Sequence, residues 1–106
     1  EATHFELLSN GLDYQYQQAS LQLKNRFESV QKEIKLTHSL LHLAETNAEQ
    51  GKLYLSRTLS EYMRGVKNSP DVLGAIDRYI DSRRRVLDLK HDYQNVKTEL
   101  KALLGE

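Results

Sequence analysis

The chain has 106 residues, which is enough for one domain at most, and 39% of them are hydrophobic and 28% charged. Fifteen basic and fifteen acidic side chains cancel, so no global field attracts nucleic acid or an anionic membrane surface. The absence of cysteine excludes disulfides and thiolate chemistry, and no apolar run approaches the roughly 20 residues of a membrane-spanning helix. Because the chain starts at Glu1 without a signal peptide, we expect it to be a piece of a larger protein.

The first predicted element is a long helix over about residues 3–64. Apolar residues recur along it in a heptad pattern, which is the spacing of a coiled-coil seam. The predicted seam residues of this helix are Leu23, Phe27, Val30, Ile34, Thr37, Leu41, Ala44, Ala48, Leu55, Leu59 and Tyr62. The helical spacing also continues upstream of this seam, through Leu8, Leu12, Tyr16 and Ala19. Asn10 and Gly11 interrupt that upstream part, where we expect the helix to fray or to start late.

A turn over about residues 65–70 follows. Gly65 suits the left-handed position that ends a helix, where a Cβ would be strained. Two caps fit the start of the next helix: Asn68 with the acidic residue three positions later, or Ser69 with Pro70 at the first helical position. With either cap the connection is about five residues long, so the two helices must be antiparallel neighbours.

The second helix is predicted over about residues 71–104, and its apolar stripe alternates steps of three and four. The stripe consists of Val72, Ala75, Tyr79, Ser82, Val86, Leu89, Tyr93, Val96, Leu100 and Leu103. Folding the chain at the turn brings the two stripes together in register, with Tyr62 near Val72 and Ala48 near Val86. We therefore predict an all-α fold: a long antiparallel two-helix coiled-coil hairpin with unequal arms.

Each predicted helix also carries a second apolar stripe beside its seam. The residues of these stripes are Leu36, Leu40 and Leu43 in the first helix and Leu73, Ile76, Ile80 and Leu87 in the second. Two interpretations remain open. The stripes widen the seam within the hairpin, or each helix packs on two neighbours inside a larger assembly.

The turn and the second helix carry a motif with specific landmarks. The motif reads Tyr62-x-x-Gly65, a short polar turn, Asp71-Val72-Leu73-x-Ala75, and a closing Leu104-Gly105. It resembles the second periplasmic helical hairpin of TolC-family outer-membrane efflux channels. The resemblance implies a periplasmic segment of a Gram-negative outer-membrane protein that exports drugs or, in type I secretion, proteins. It further implies a homotrimeric parent, no direct membrane contact by this segment, and the hairpin of a periplasmic adaptor (membrane-fusion) protein as partner.

The resemblance assigns two groups of site residues. The expected adaptor-binding tip consists of Arg64, Gly65, Val66 and Lys67, and Lys67 stands where arginine is usual in the family. The expected pore-constriction or gating residues are Tyr62, Asp71 and Lys90. Gly74 replaces a second acidic residue of the constriction, so the resemblance does not extend to a strong cation-binding ring.

Other chemistry finds little support in the sequence. His38, His42 and Glu45 share a helical face near His91, but the spacing matches no established metal motif. Acidic residues interleave with Arg83-Arg84-Arg85, which favours a solvated, self-neutralised face over nucleic-acid binding. We therefore predict no catalytic residue, no metal, no cofactor and no enzymatic activity. The alternative function is a generic antiparallel coiled coil, acting as a spacer or oligomerisation module in a scaffold or adaptor protein.

Overall fold

The chain forms two antiparallel α-helices joined by a tight turn. A computed structural model describes residues 2–105, in which α1 spans Ala2–Met63 and α2 spans Ser69–Leu103. These bounds lie within two residues of the predicted ones, and no strand occurs in the described part of the chain. The molecule measures 94 × 22 × 15 Å. The predicted all-α hairpin with unequal arms is therefore confirmed.

The end of α1 is determined by a glycine in the left-handed conformation. Gly65 has a φ of 79°. The Val66 amide donates to the Glu61 carbonyl at 2.8 Å, and the Gly65 amide donates to the Tyr62 carbonyl at 3.0 Å. This pair of bonds is a Schellman motif, which satisfies carbonyl groups that would otherwise lack partners at a helix end. The chain therefore leaves α1 in a single defined direction.

The start of α2 is determined by a reciprocal cap. Of the two predicted caps, the structure uses Asn68, whose Oδ1 accepts from the Asp71 amide at 3.1 Å. The Asp71 carboxylate accepts from the Asn68 amide, also at 3.1 Å, and this completes a capping box. Pro70 lies in the first turn of α2, where a missing N–H costs nothing. The turn is thus built from both sides by local hydrogen bonds.

Two glycine substitutions near the turn should have opposite effects on stability. Gly65→Ala forces an L-residue into the left-handed region, and we expect it to lower the free energy of unfolding by about 1–2 kcal/mol. Gly74→Ala adds a methyl to an exposed helical position with no neighbouring atom within 4 Å. We expect it to raise the free energy of unfolding by about 0.5–1 kcal/mol. Urea denaturation followed by circular dichroism measures both, and a shift of the same sign for both variants would contradict this account of the turn.

The core is the seam between the two helices. Ala44, Ala48, Val86 and Leu89 form its buried cluster, and Leu41 packs against it half-buried. The predicted pairing of Ala48 with Val86 is thus present. Val30, Thr37, Ala75 and Val96 are also buried at predicted seam positions. The centre of the hairpin follows the heptad prediction.

Near the turn the seam of α1 differs from the predicted one. Leu59 and Tyr62 were expected in the seam, yet they are 41% and 44% exposed. Thr58 is buried in this region instead, and Glu61 is half-buried. A strict alternation of three and four residues reaches Thr58 rather than Leu59, so the helix geometry overrides the apolar side chain. The Thr58 hydroxyl donates to the Tyr54 carbonyl at 2.9 Å, which makes its burial tolerable.

The part of α1 before Phe27 extends beyond α2. Every residue from 3 to 26 is exposed, and the ion pair between Arg26 and Glu99 marks where the two helices part. The expected fraying at Asn10 and Gly11 is not seen, because α1 continues through both residues. We call residues 3–26 the overhang. By helix geometry the overhang is roughly 36 Å long.

Candidate docking turn and exposed flanks

The turn presents four residues to solvent at one end of the rod. Arg64, Gly65, Val66 and Lys67 are all exposed, and Val66 is 67% exposed although it is apolar. Neither Arg64 nor Lys67 forms an ion pair with another described residue. The Schellman motif and the capping box hold the backbone on both sides of these residues. A turn with a fixed backbone, an exposed apolar side chain at Val66 and cations at Arg64 and Lys67 is suited to docking against another protein.

The expected gating residues do not form one cluster. Tyr62 and Asp71 flank the turn, whereas Lys90 lies on α2 roughly 29 Å further along the helix axis. The Asp71 carboxylate has a structural task, because it caps α2 through Asn68. Tyr62 is half-exposed and Lys90 is exposed, so both can contact other chains. Of the three expected gating residues, only Tyr62 and Asp71 lie at the same end of the hairpin.

The histidines do not assemble a metal site. No group of three or more His, Asp or Glu side chains within the described residues could hold an ion. The His38 ring lies 5.8 Å from the Tyr93 ring, centroid to centroid, in a tilted pair. His91 Nδ1 lies 3.3 Å from Asn95 Nδ2. These contacts are those of ordinary surface histidines on a long helix.

The arginine-rich segment of α2 is solvated. Arg84 pairs with Asp81 three residues earlier at 3.9 Å, in keeping with the interleaved charges of the sequence. Both partners are more than two-thirds exposed, so the pair contributes well under ~1 kcal/mol. Arg78 lies over the Tyr54 ring at 5.6 Å and links α2 to α1. Arg84 and Arg78 thus contact residues of their own hairpin.

The second apolar stripes remain largely uncovered. Leu40 and Ile76 are half-buried, but the other residues of both stripes are 46–60% exposed. Leu40 and Leu43 line a groove with Arg85, while Ile80 and Leu87 line a groove with Arg83. Since Arg83 and Arg85 point to opposite sides of α2, the two stripes lie on opposite faces of the hairpin. A wider seam therefore accounts for only part of each stripe. We call the exposed residues of these stripes the flanks.

Comparison with protein-family models, curated proteins and solved structures gave no match for this chain. Within the described residues, neither helix has a segment that is apolar enough, over sufficient length, to cross a membrane.

Sequence reasoning missed two features of the contact between the helices. Gly51 lets the helices approach closely, because a Cβ there would lie 3.3 Å from Ser82 Oγ and 3.8 Å from Tyr79 Cα. The strict alternation of three and four residues passes through Gly51, so the spacing signal was present although the residue is not apolar. The ion pair between Arg26 and Glu99 had no signal in the spacing, because long exposed side chains pair according to rotamers.

Proposed function

We propose that this chain is a periplasmic coiled-coil hairpin of a TolC-type export channel, whose turn docks a periplasmic adaptor. The observation that carries the proposal is the pair of exposed apolar flanks on opposite faces of the hairpin. A lone two-stranded coiled coil needs one apolar seam per helix. Flanks on opposite faces allow a neighbour on each side, as the wall of a helical barrel requires.

The turn supports the docking part of the proposal. When a hairpin is part of a barrel wall, neighbouring helices cover its flanks. The turn at its end stays exposed to solvent. The exposed turn residues then offer Val66 as an apolar anchor between Arg64 and Lys67. Docking that favours an outward displacement of the hairpin would widen the pore, and no bond in the exported molecule would be made or broken.

Site-specific crosslinking tests the export role. A cysteine at Lys67 in the full-length parent should crosslink to a cysteine in the adaptor hairpin in intact cells, because the turn is the proposed contact. A cysteine at Lys97 is the matched control. It replaces an exposed lysine roughly 40 Å further along the rod and should give no adaptor crosslink.

Two results would contradict the export role: no crosslink from position 67 in cells that contain the adaptor, or equal crosslinking from positions 67 and 97. The second result would indicate random collision rather than docking through the turn.

The alternative function is that of a spacer or oligomerisation module, and the overhang favours it. Five of its large apolar side chains lie at helical spacing, are each more than half exposed and are not reached by any part of α2: Phe5, Leu8, Leu12, Tyr16 and Leu23. Such a surface suits association between copies without any task for the turn. The crosslinking experiment separates the two functions, because only the channel gives Lys67 a partner.

A further inference from the structure

The overhang carries one continuous apolar stripe with an eleven-residue spacing. Its steps run three, four, four, three and four residues. This spacing of about 3.67 residues per turn stays on one side of a nearly straight helix. We call this set the overhang stripe, and its members are Phe5, Leu8, Leu12, Tyr16, Ala19 and Leu23.

The overhang has no packing partner in its own chain. A helix without tertiary contacts depends on propensity alone, and about 24 residues that include Asn10 and Gly11 are marginal in water. The overhang is nevertheless helical throughout. Packing of the overhang stripe against another helix would supply the missing stabilisation.

We propose that the overhang stripe binds the overhang of a second copy of this chain in an antiparallel pair. The inference is independent of the export role, since it uses only residues before Phe27. The spacing of the stripe is close to palindromic. With the two-fold axis midway between Leu12 and Tyr16, Leu12 of one copy faces Tyr16 of the other, and Phe5 faces Leu23. Leu8 then meets the small Ala19, which leaves room for the larger side chain.

The charges beside the overhang stripe fit the same arrangement. Glu6 follows Phe5 and Lys24 follows Leu23, so each charge lies one position beyond a stripe residue. In an antiparallel pair these positions lie on the same side of the interface, and Glu6 of each copy comes near Lys24 of the other. Asp13 follows Leu12 in the same way, so its two copies come near each other beside the two-fold axis, and two attractive pairs oppose one repulsive pair. A parallel pair in register would leave Glu6 and Lys24 roughly 27 Å apart along the axis. Charge complementarity therefore favours the antiparallel orientation.

The size of the interface predicts a reversible dimer. The large apolar side chains of two overhang stripes would bury on the order of 1,000 Å² together. This area lies at the lower end of specific protein interfaces. We expect association in the micromolar range, with the two turns at opposite ends of a rod.

Sedimentation equilibrium of the 106-residue chain measures the dissociation constant of the dimer. Two double variants, each with one Leu→Ser and one Tyr→Ser change, test whether the overhang stripe forms the interface. Leu12→Ser with Tyr16→Ser removes the centre of the overhang stripe, and we expect at least a tenfold weaker dimer. Leu7→Ser with Tyr14→Ser is the control. It removes equally exposed residues from the opposite side of the same helix and should leave the dissociation constant within about twofold. A monomer at 100 µM, or equal effects of both variants, would overturn the proposal.

Charge reversal tests the orientation and keeps the apolar stripe intact. Glu6→Lys alone and Lys24→Glu alone should each weaken the homodimer several-fold, because like charges then meet twice. The two single variants mixed together should form a heterodimer, and the double reversal should restore the homodimer. Cysteines should crosslink between Phe5→Cys of one copy and Leu23→Cys of another. If two Phe5→Cys copies crosslinked more readily than Phe5→Cys with Leu23→Cys, the pair would be parallel and the proposal overturned.

Discussion

Val86→Asp should separate the two helices. Val86 is fully buried in the cluster with Ala44, Ala48 and Leu89, and no cation lies within that cluster. An aspartate there would place an unpaired charge in an apolar site, which costs several kcal/mol. Small domains have only about 5–15 kcal/mol of total stability, so the loss is a large share of it. We expect the free energy of unfolding to fall by at least ~4 kcal/mol, measured by urea denaturation.

The neighbouring residue supplies the control for this substitution. Leu87 is 59% exposed on a flank, and Leu87→Asp places the same charge in solvent. We expect its effect on the free energy of unfolding to stay within about 0.5 kcal/mol. Equal destabilisation by the two variants would mean that α2 is rotated from the orientation described.

Gly51→Leu should force the helices apart beside the buried cluster. A Cβ at Gly51 would already lie 3.3 Å from Ser82 Oγ and 3.8 Å from Tyr79 Cα, so the larger leucine side chain has little room between the helices. Overpacking of this kind costs about 1–3 kcal/mol, and the better helix propensity of leucine recovers about 0.8 kcal/mol. We expect a net loss of up to ~2 kcal/mol in the free energy of unfolding, read from the thermal unfolding midpoint.

The matched control uses a glycine with open surroundings. No atom lies within 4 Å of a Cβ built at Gly11, so Gly11→Leu meets no obstacle in the monomer. Its thermal midpoint should stay the same or rise. If Gly51→Leu raised the thermal midpoint as well, the helices could not lie as close together at Gly51 as described.

The sequence predicted the hairpin because its two strongest signals agreed. Gly65 and Asn68 specify local backbone conformations through hydrogen bonds within a few residues. The second helix repeats its apolar residues so regularly that all ten predicted seam positions are buried or half-buried. Local turn chemistry and long-range periodicity are independent, and together they leave only one arrangement of two helices.

The error at Leu59 arose where polarity and spacing disagree. Apolar character favoured Leu59, but the spacing runs through Thr58, which is small and satisfies its own hydroxyl within the helix. Tyr62 lies on the alternation, four residues after Thr58, yet it is exposed and Glu61 is half-buried, so the alternation ends at Thr58. Exposed residues are harder still to predict. The side chains of Arg64, Val66 and Lys67 are exposed, and the docking role proposed for them depends on a surface outside this chain. The export role and its adaptor therefore stay predictions that rest on the resemblance and the exposed flanks.

The two caps around the turn also bear on how the hairpin reaches its native state. The Schellman motif and the capping box involve only residues a few positions apart, so they can form before any distant contact. Each further contact along the seam then closes a slightly larger loop than the one before, so contacts at the far end, such as the ion pair of Arg26 with Glu99, form late. Folding by such zippering from the turn avoids the slow search that distant pairings impose. Opening proceeds in reverse, so amide protons near the end of α2 exchange with solvent sooner than those beside the turn.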